Sequence, residues 1–124
     1  MRSLRIGAAQ LGPIERTETR TEVVERLIAL LRQGSDAGCE LVVFPELALT
    51  TFFPRWYLDD NPTELDAYYE SAMPGPETQA LFDEAQLLGV GFYLGYAEQT
   101  PQGNRYNTSV LVERDGSIVA KYRK

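Results

Sequence analysis

The run Leu41-Val42-Val43-Phe44 constrains this chain more than any other stretch of it. Four consecutive apolar residues ending at Pro45 have the composition of a strand covered on both faces. Upstream, Val23, Val24, Leu27, Ile28, Leu30 and Leu31 recur at helical spacing, with Glu22, Glu25, Arg26 and Arg32 opposite them. Thr19 and Glu22 have the spacing of a capping box, so the helix starts near Thr19, and Gly34 or Gly38 can end it. Before the helix, Leu4 to Gln10 reads as a short strand closed by the turn signal Gly12-Pro13. Strand, helix and apolar strand make a βαβ unit, which places the second strand parallel to the first.

The stretch from Pro45 to about Asn61 is irregular and rich in aromatics, and Glu64 to Ser71 reads as a short helix. Pro74-Gly75-Pro76 breaks the chain, and Pro76 suits the first position of a helix that runs to about Leu88, with Gly89 behind it. The rest is β. Val90 to Glu98 is a strand whose Gly91 and Gly95 imply close backbone approach. Tyr106 to Glu113 and Ser117 to Tyr122 flank Asp115-Gly116, a hairpin signal. Lys121-Tyr122-Arg123-Lys124 then ends the sequence without a turn or cap.

Composition narrows the chemistry. The 124 residues are 44% hydrophobic and 24% charged, the balance of a folded domain. There is no histidine, which removes every Ser-His, Cys-His and His-metal arrangement within the chain. One cysteine, Cys39, forbids an internal disulfide or a thiolate cluster. A net charge of −6 disfavours nucleic acid, which needs a basic face. No apolar run approaches the ~20 residues of a membrane span, and the first residues lack a signal-peptide pattern, so a cytoplasmic location is expected.

Glu46 is the leading candidate for chemistry. It follows the apolar strand and Pro45, at the carboxyl end of a strand, the edge where α/β sheets bind ligands. Phe44, Leu47, Leu49, Phe52 and Phe53 surround it in sequence, which predicts a desolvated carboxyl with a raised pKa, suited to a general base. Position alone nonetheless favours the ordinary role of such a glutamate, capping a backbone amide or pairing with an arginine. Lys121 and Lys124, at the end of the last strand, could hold an oxyanion, or simply guard an edge strand against aggregation. Cys39 sits at a helix-to-strand connection with no base beside it and reads as a small buried residue, not a nucleophile. The segment Thr50 to Tyr57 fits a pocket wall or subunit contact as well as it fits loop anchoring.

Taken in order, these pieces resemble the nitrilase (carbon–nitrogen hydrolase) superfamily. The resemblance is carried by Ile6-Gly7-Ala8-Ala9-Gln10, by Leu41-Val42-Val43-Phe44-Pro45-Glu46 at the glutamate motif, by Arg105-Tyr106-Asn107-Thr108-Ser109, and by Lys121-Tyr122-Arg123-Lys124 at the lysine motif. Phe44 to Trp56, Met73 to Pro76 and the strand Gly91 to Glu98 are most similar to the N-carbamoyl-D-amino-acid amidohydrolases.

That resemblance implies an α/β fold, corresponding to the N-terminal half of a nitrilase-type α-β-β-α sandwich, within a single partial domain over residues 1–124. It implies a Glu-Lys-Cys triad in which Glu46 is the base that activates the thiol and later water. Lys124, and not Lys121, matches the lysine that stabilises the tetrahedral intermediate. The family's cysteine lies further downstream, and Cys39 is not at its position, so the 124 residues alone are expected to be inactive. At the end of the chain, the α-carboxylate of Lys124 would oppose its ammonium, and a sheet face would lie uncovered. The resemblance further implies no cofactor, no metal, a small-molecule N-carbamoyl amino acid or amide substrate, and a homo-oligomer. Three functions fit: part of an N-carbamoyl-D-amino-acid amidohydrolase, part of another amidase or a β-ureidopropionase, or a non-catalytic chain acting by association.

Overall fold

The computed structural model describes residues 1–124. Strand β1 (Ile6–Ala8) leads through helix α1 (Arg20–Asp36) to β2 (Leu41–Val43). A single 3-10 turn (Phe53–Arg55), α2 (Pro62–Ala67) and α3 (Gln79–Leu88) follow, and then β3 (Gly91–Gln99), β4 (Arg105–Val112) and β5 (Ile118–Arg123). The strands form one sheet in sequential order. β1, β2 and β3 are parallel, with Ile6 opposite Leu41 and Leu41 opposite Gly91. β3, β4 and β5 are antiparallel. The parallel βαβ unit expected from the apolar run is therefore present, and the fold is α/β with one mixed sheet.

α1 forms because its sequence solves both of its ends. Thr19 accepts from the backbone amide of Glu22, while the Glu22 carboxylate accepts from that of Thr19, a complete capping box. The helix runs through Gly34, because that position must be small: a Cβ there would lie 2.5 Å from a methyl of Val42. It ends ahead of Gly38, which takes the left-handed conformation at φ 78°. α1 and α3 cover one face of the sheet, where Leu27, Leu31, Leu81, Phe92, Leu94 and Val112 are buried. Phe82 of α3 meets Phe92 of β3 edge to face at 5.1 Å.

Three elements differ from the sequence reading. β1 keeps only Ile6–Ala8 of the seven residues expected, although the amide of Ala9 still donates to Val43 O. α2 spans Pro62–Ala67 instead of 64–71. Asn61 caps the amide of Glu64, and Glu70 leaves the helix to donate its amide to Ala97 O and accept from Gln99. α3 starts at Gln79 and not at Pro76, because Thr78 Oγ1 takes the amide of Gly75 and holds residues 75–78 in a turn.

Strand alternation and register put Ile6, Leu41, Val43, Tyr93, Leu111 and Tyr122 on the face opposite the helices. Ile6, Tyr93 and Tyr122 are exposed there. Over the β3 end of this face, the segment after β2 folds back and buries a second, smaller cluster of Leu47, Phe53, Leu58 and Ala97.

Candidate active site

Glu46 lies on the open face because the chain detours there. Phe44 continues the ladder by donating its amide to Tyr93 O at 3.0 Å, and Ala48 rejoins it at Gly95 O at 2.9 Å. Pro45, Glu46 and Leu47 bridge the gap, with Leu47 at φ 48°, a left-handed conformation that costs a branched residue roughly 1–2 kcal/mol. Gly95 makes the detour possible. A Cβ at that position would stand 3.2 Å from both Glu46 Cα and the Leu47 amide nitrogen.

Lys124 reaches the same place from the other edge. In a regular ladder running back from the Asp115-Gly116 turn, Arg123 would oppose Asn107. A β-bulge between Leu111 and Val112 shifts the register by one residue, so Thr108 pairs with Arg123. The amide of Lys124 then donates to Asn107 O at 2.9 Å. The last residue is thus tied down, and its side chain points to the open face.

The three side chains meet at one carboxylate oxygen. Asn107 Nδ2 donates to Glu46 Oε1 at 2.5 Å, and Lys124 Nζ donates to the same oxygen at 3.3 Å. They line a recess of 160 Å³ together with Tyr93, Ser109 and Tyr122. The Asn107 hydrogen bond, followed by the hydrogen bond and charge of Lys124, holds the Glu46 carboxyl below the usual carboxylate range. The carboxyl is thus neither shut away from water nor raised in pKa, contrary to what its apolar sequence neighbours predict. The Glu46 side chain is 55% exposed, because Leu47 and Phe53 turn into the small cluster under the loop and leave the carboxylate free of it.

Lys121 lies apart from Glu46 and Asn107. It projects to the helix face, where Glu98 gathers Lys121, Arg123 and the hydroxyl of Thr108. The Arg123 hydrogen bond is the largest of several contacts that pull the Glu98 carboxyl down to about 2. This cluster binds β5 to β3 across β4 and so steadies the strand that carries Lys124. Arg20 with Glu70, a more buried pair, has the opposite balance: burial pushes the Glu70 carboxyl up. Cys39 is half-buried before β2, at the opposite end of that strand from Glu46. No three His, Cys, Asp or Glu side chains gather as metal ligands.

Asn107 is the site residue that sequence reasoning missed. In the sequence it stands only within the run Arg105 to Ser109, and the bulge that sets its partner leaves no mark there. The aromatic segment takes two of the three roles open to it, loop anchor and pocket wall. Phe53 anchors it by stacking on Tyr68 at 4.9 Å, while Phe53, Trp56 and Tyr57 also wall a pocket that includes Asn107 and Lys124.

The sequence pattern of the carbon–nitrogen hydrolases matches residues 5–124, nearly the whole chain. This chain belongs to the carbon–nitrogen hydrolase family. An aliphatic nitrilase from Rhodococcus rhodochrous is 28% identical to it, over 98% of this chain and 34% of its own length. An omega-amidase from Homo sapiens is 25% identical over 100% of this chain and 41% of its own. The crystal structure of a carbon–nitrogen hydrolase from Helicobacter pylori G27 superposes with a TM-score of 0.75 at 26% identity, over 98% of this chain and 39% of that one. This carbon–nitrogen hydrolase chain thus spans about a third to two-fifths of the length of the curated relatives it matches. No helix in it is long and apolar enough to cross a membrane.

Proposed function

We propose that Glu46 and Lys124 are two members of a Glu-Lys-Cys triad that hydrolyses N-carbamoyl-D-amino acids to D-amino acid, ammonia and carbon dioxide. The third member is a cysteine outside these 124 residues. The reading further includes a cytoplasmic homo-oligomer. The observation that supports it is the convergence of the Glu46 carboxylate, the Lys124 ammonium and the Asn107 amide at the carboxyl end of β2.

The chemistry follows from the charges. Glu46 is ionised at neutral pH and accepts the thiol proton, so that the thiolate can attack the carbamoyl carbon. An ammonium has three donors, and Lys124 gives one to Glu46, which leaves two for the oxygen that becomes negative. Glu46 returns its proton to the departing amine, then takes one from the water that attacks the acyl carbon. The water hydroxyl forms the new C–O bond, the C–S bond breaks, and the proton restores the thiol. The carbamic acid released falls apart to ammonia and carbon dioxide.

The test is hydrolysis of N-carbamoyl-D-phenylalanine by the product of the gene's whole reading frame, beside the 124-residue chain. Turnover by the former and none by the latter is expected. Turnover by the 124-residue chain would overturn the requirement for an outside cysteine. The relatives named as an aliphatic nitrilase and an omega-amidase favour a second reading, in which the substrate is another amide or a nitrile. A preference for aliphatic amides, nitriles or β-ureido acids in the same assay would decide for it.

A further inference from the structure

Ser109 lines the Glu46 recess but takes no part in the contacts that hold the glutamate. It stands on β4 between Gly95 of β3 and Tyr122 of β5, its partners in the ladder. Gly95 is the residue that Glu46 crosses, so closely that a Cβ there would lie 3.2 Å from Glu46 Cα. Ser109 is therefore one strand spacing, about 4.8 Å, from that crossing point. Residues two apart on a strand share a face, so Ser109 joins Asn107 on the open side. Thr108, between them, turns its hydroxyl to Glu98 on the helix face at 2.9 Å.

Hydrogen bonding in the recess is uneven. Glu46 Oε1 accepts from both Asn107 and Lys124, while Glu46 Oε2 accepts from no protein group. Ser109 Oγ likewise has no protein partner. Tyr93 and Tyr122 carry their hydroxyls at the tips of exposed rings. Ser109 thus supplies the one aliphatic hydroxyl on this side of the sheet in the recess, beside the unengaged oxygen of the base.

We propose that Ser109 orients the water that hydrolyses the acyl-enzyme. This rests on the function proposed above only as far as an acyl group on the outside cysteine, which carbamoyl and amide substrates share. A water between the two side chains donates one hydrogen to Glu46 and the other to Ser109 Oγ, which leaves a lone pair for the acyl carbon. Its oxygen forms the new C–O bond as Glu46 takes the proton. The C–S bond then breaks, and the thiolate recovers that proton from Glu46. Two acceptors fix the water in two directions, whereas Glu46 alone would let it swing about a single hydrogen bond. The recess of 160 Å³ has room for it, since a water takes about 30 Å³ in the liquid. Attack by the thiol uses no water, so Ser109 acts only in the second half of the reaction.

The test is Ser109→Ala in the whole gene product, assayed on N-carbamoyl-D-phenylalanine by steady-state rates and by rapid mixing. Slower deacylation alone is expected to lower kcat and KM together, by about tenfold, with kcat/KM within about twofold of the unsubstituted enzyme. The burst of D-phenylalanine before the steady rate is expected to keep its rate constant and to rise toward one per site. Hydroxylamine, a stronger nucleophile than water, is expected to raise turnover by a larger factor in the variant than in the unsubstituted enzyme. Ser109→Thr, which keeps the hydroxyl, is expected to keep most of kcat. An unchanged kcat would overturn the proposal. So would a kcat/KM that falls as far as kcat, because a merely loosened recess slows acylation as well. The two proposals fail separately. The same split of kcat from kcat/KM on a simple amide that the protein prefers would keep Ser109 and sink the carbamoyl substrate. Carbamoyl hydrolysis with unchanged kinetics in Ser109→Ala would do the reverse.

Discussion

At the scale of single residues, the site is a carboxylate whose charge is secured by an amide and an ammonium. Removing the amide should therefore move a pH profile. Glu46 titrates below the ordinary range chiefly because Asn107 donates to it, so in Asn107→Ala its pKa rises. The rate then falls at a higher pH on the acid side, and the acid limb of the kcat/KM profile should shift upward relative to the unsubstituted enzyme. An unmoved limb would remove Asn107 from the site.

Glu98 gives a prediction about stability. Its pKa is depressed from 4.5 to about 2, so its contribution is fully present above the ordinary carboxyl range and is lost as the pH falls toward 2. Glu98→Gln is expected to cost about 2 kcal/mol at neutral pH and to flatten the acid-side loss in urea titrations run from pH 6 to roughly 2. Glu46 itself shows where sequence reasoning stopped at this scale. Its place after the apolar strand was legible, but its environment was not. Apolar neighbours in sequence become neighbours in space only if the backbone turns them the same way, and at Leu47 it turns them apart.

At the scale of elements, most of the frame was legible because it rests on local pattern. The helical period of Val23 to Leu31, the capping box at Thr19 and the Asp115-Gly116 turn each act within a few residues. Thr19→Ala should lower stability by about 1 kcal/mol in chemical denaturation, the usual cost of a lost cap. What was not legible depends on contacts between distant segments: the early exit from α2 toward Ala97, the turn that delays α3, and the bulge that brings Lys124 opposite Asn107. Gly95 belongs to both groups. The sequence pointed to close approach there, and the structure shows that what approaches is the backbone of Glu46 and Leu47. Gly95→Ala should cost about 1 kcal/mol of stability while lowering kcat by much more, because the new methyl pushes on the detour that presents Glu46. Parallel losses in stability and rate would mean that the detour has no special bearing on the chemistry.

At the scale of the whole molecule, one sheet carries helices on one face and an uncovered row of Ile6, Tyr93 and Tyr122 on the other. An apolar row of this kind promotes association, and size-exclusion chromatography with light scattering should show the 124-residue chain growing in mass with concentration. A monomer at every concentration would argue against a docking role for that face. The Glu46 recess opens on the same side, so whatever covers the face also borders the site.

The proposed chemistry stands or falls on Glu46 as the base. The most direct measurement is the rate of N-carbamoyl-D-phenylalanine hydrolysis by the whole gene product with Glu46→Gln, beside the unsubstituted protein, with folding followed by circular dichroism. A loss of roughly 10²- to 10⁴-fold with an unchanged spectrum is predicted, since the amide keeps the shape and cannot take the proton. A near-normal rate in a folded Glu46→Gln protein would contradict it.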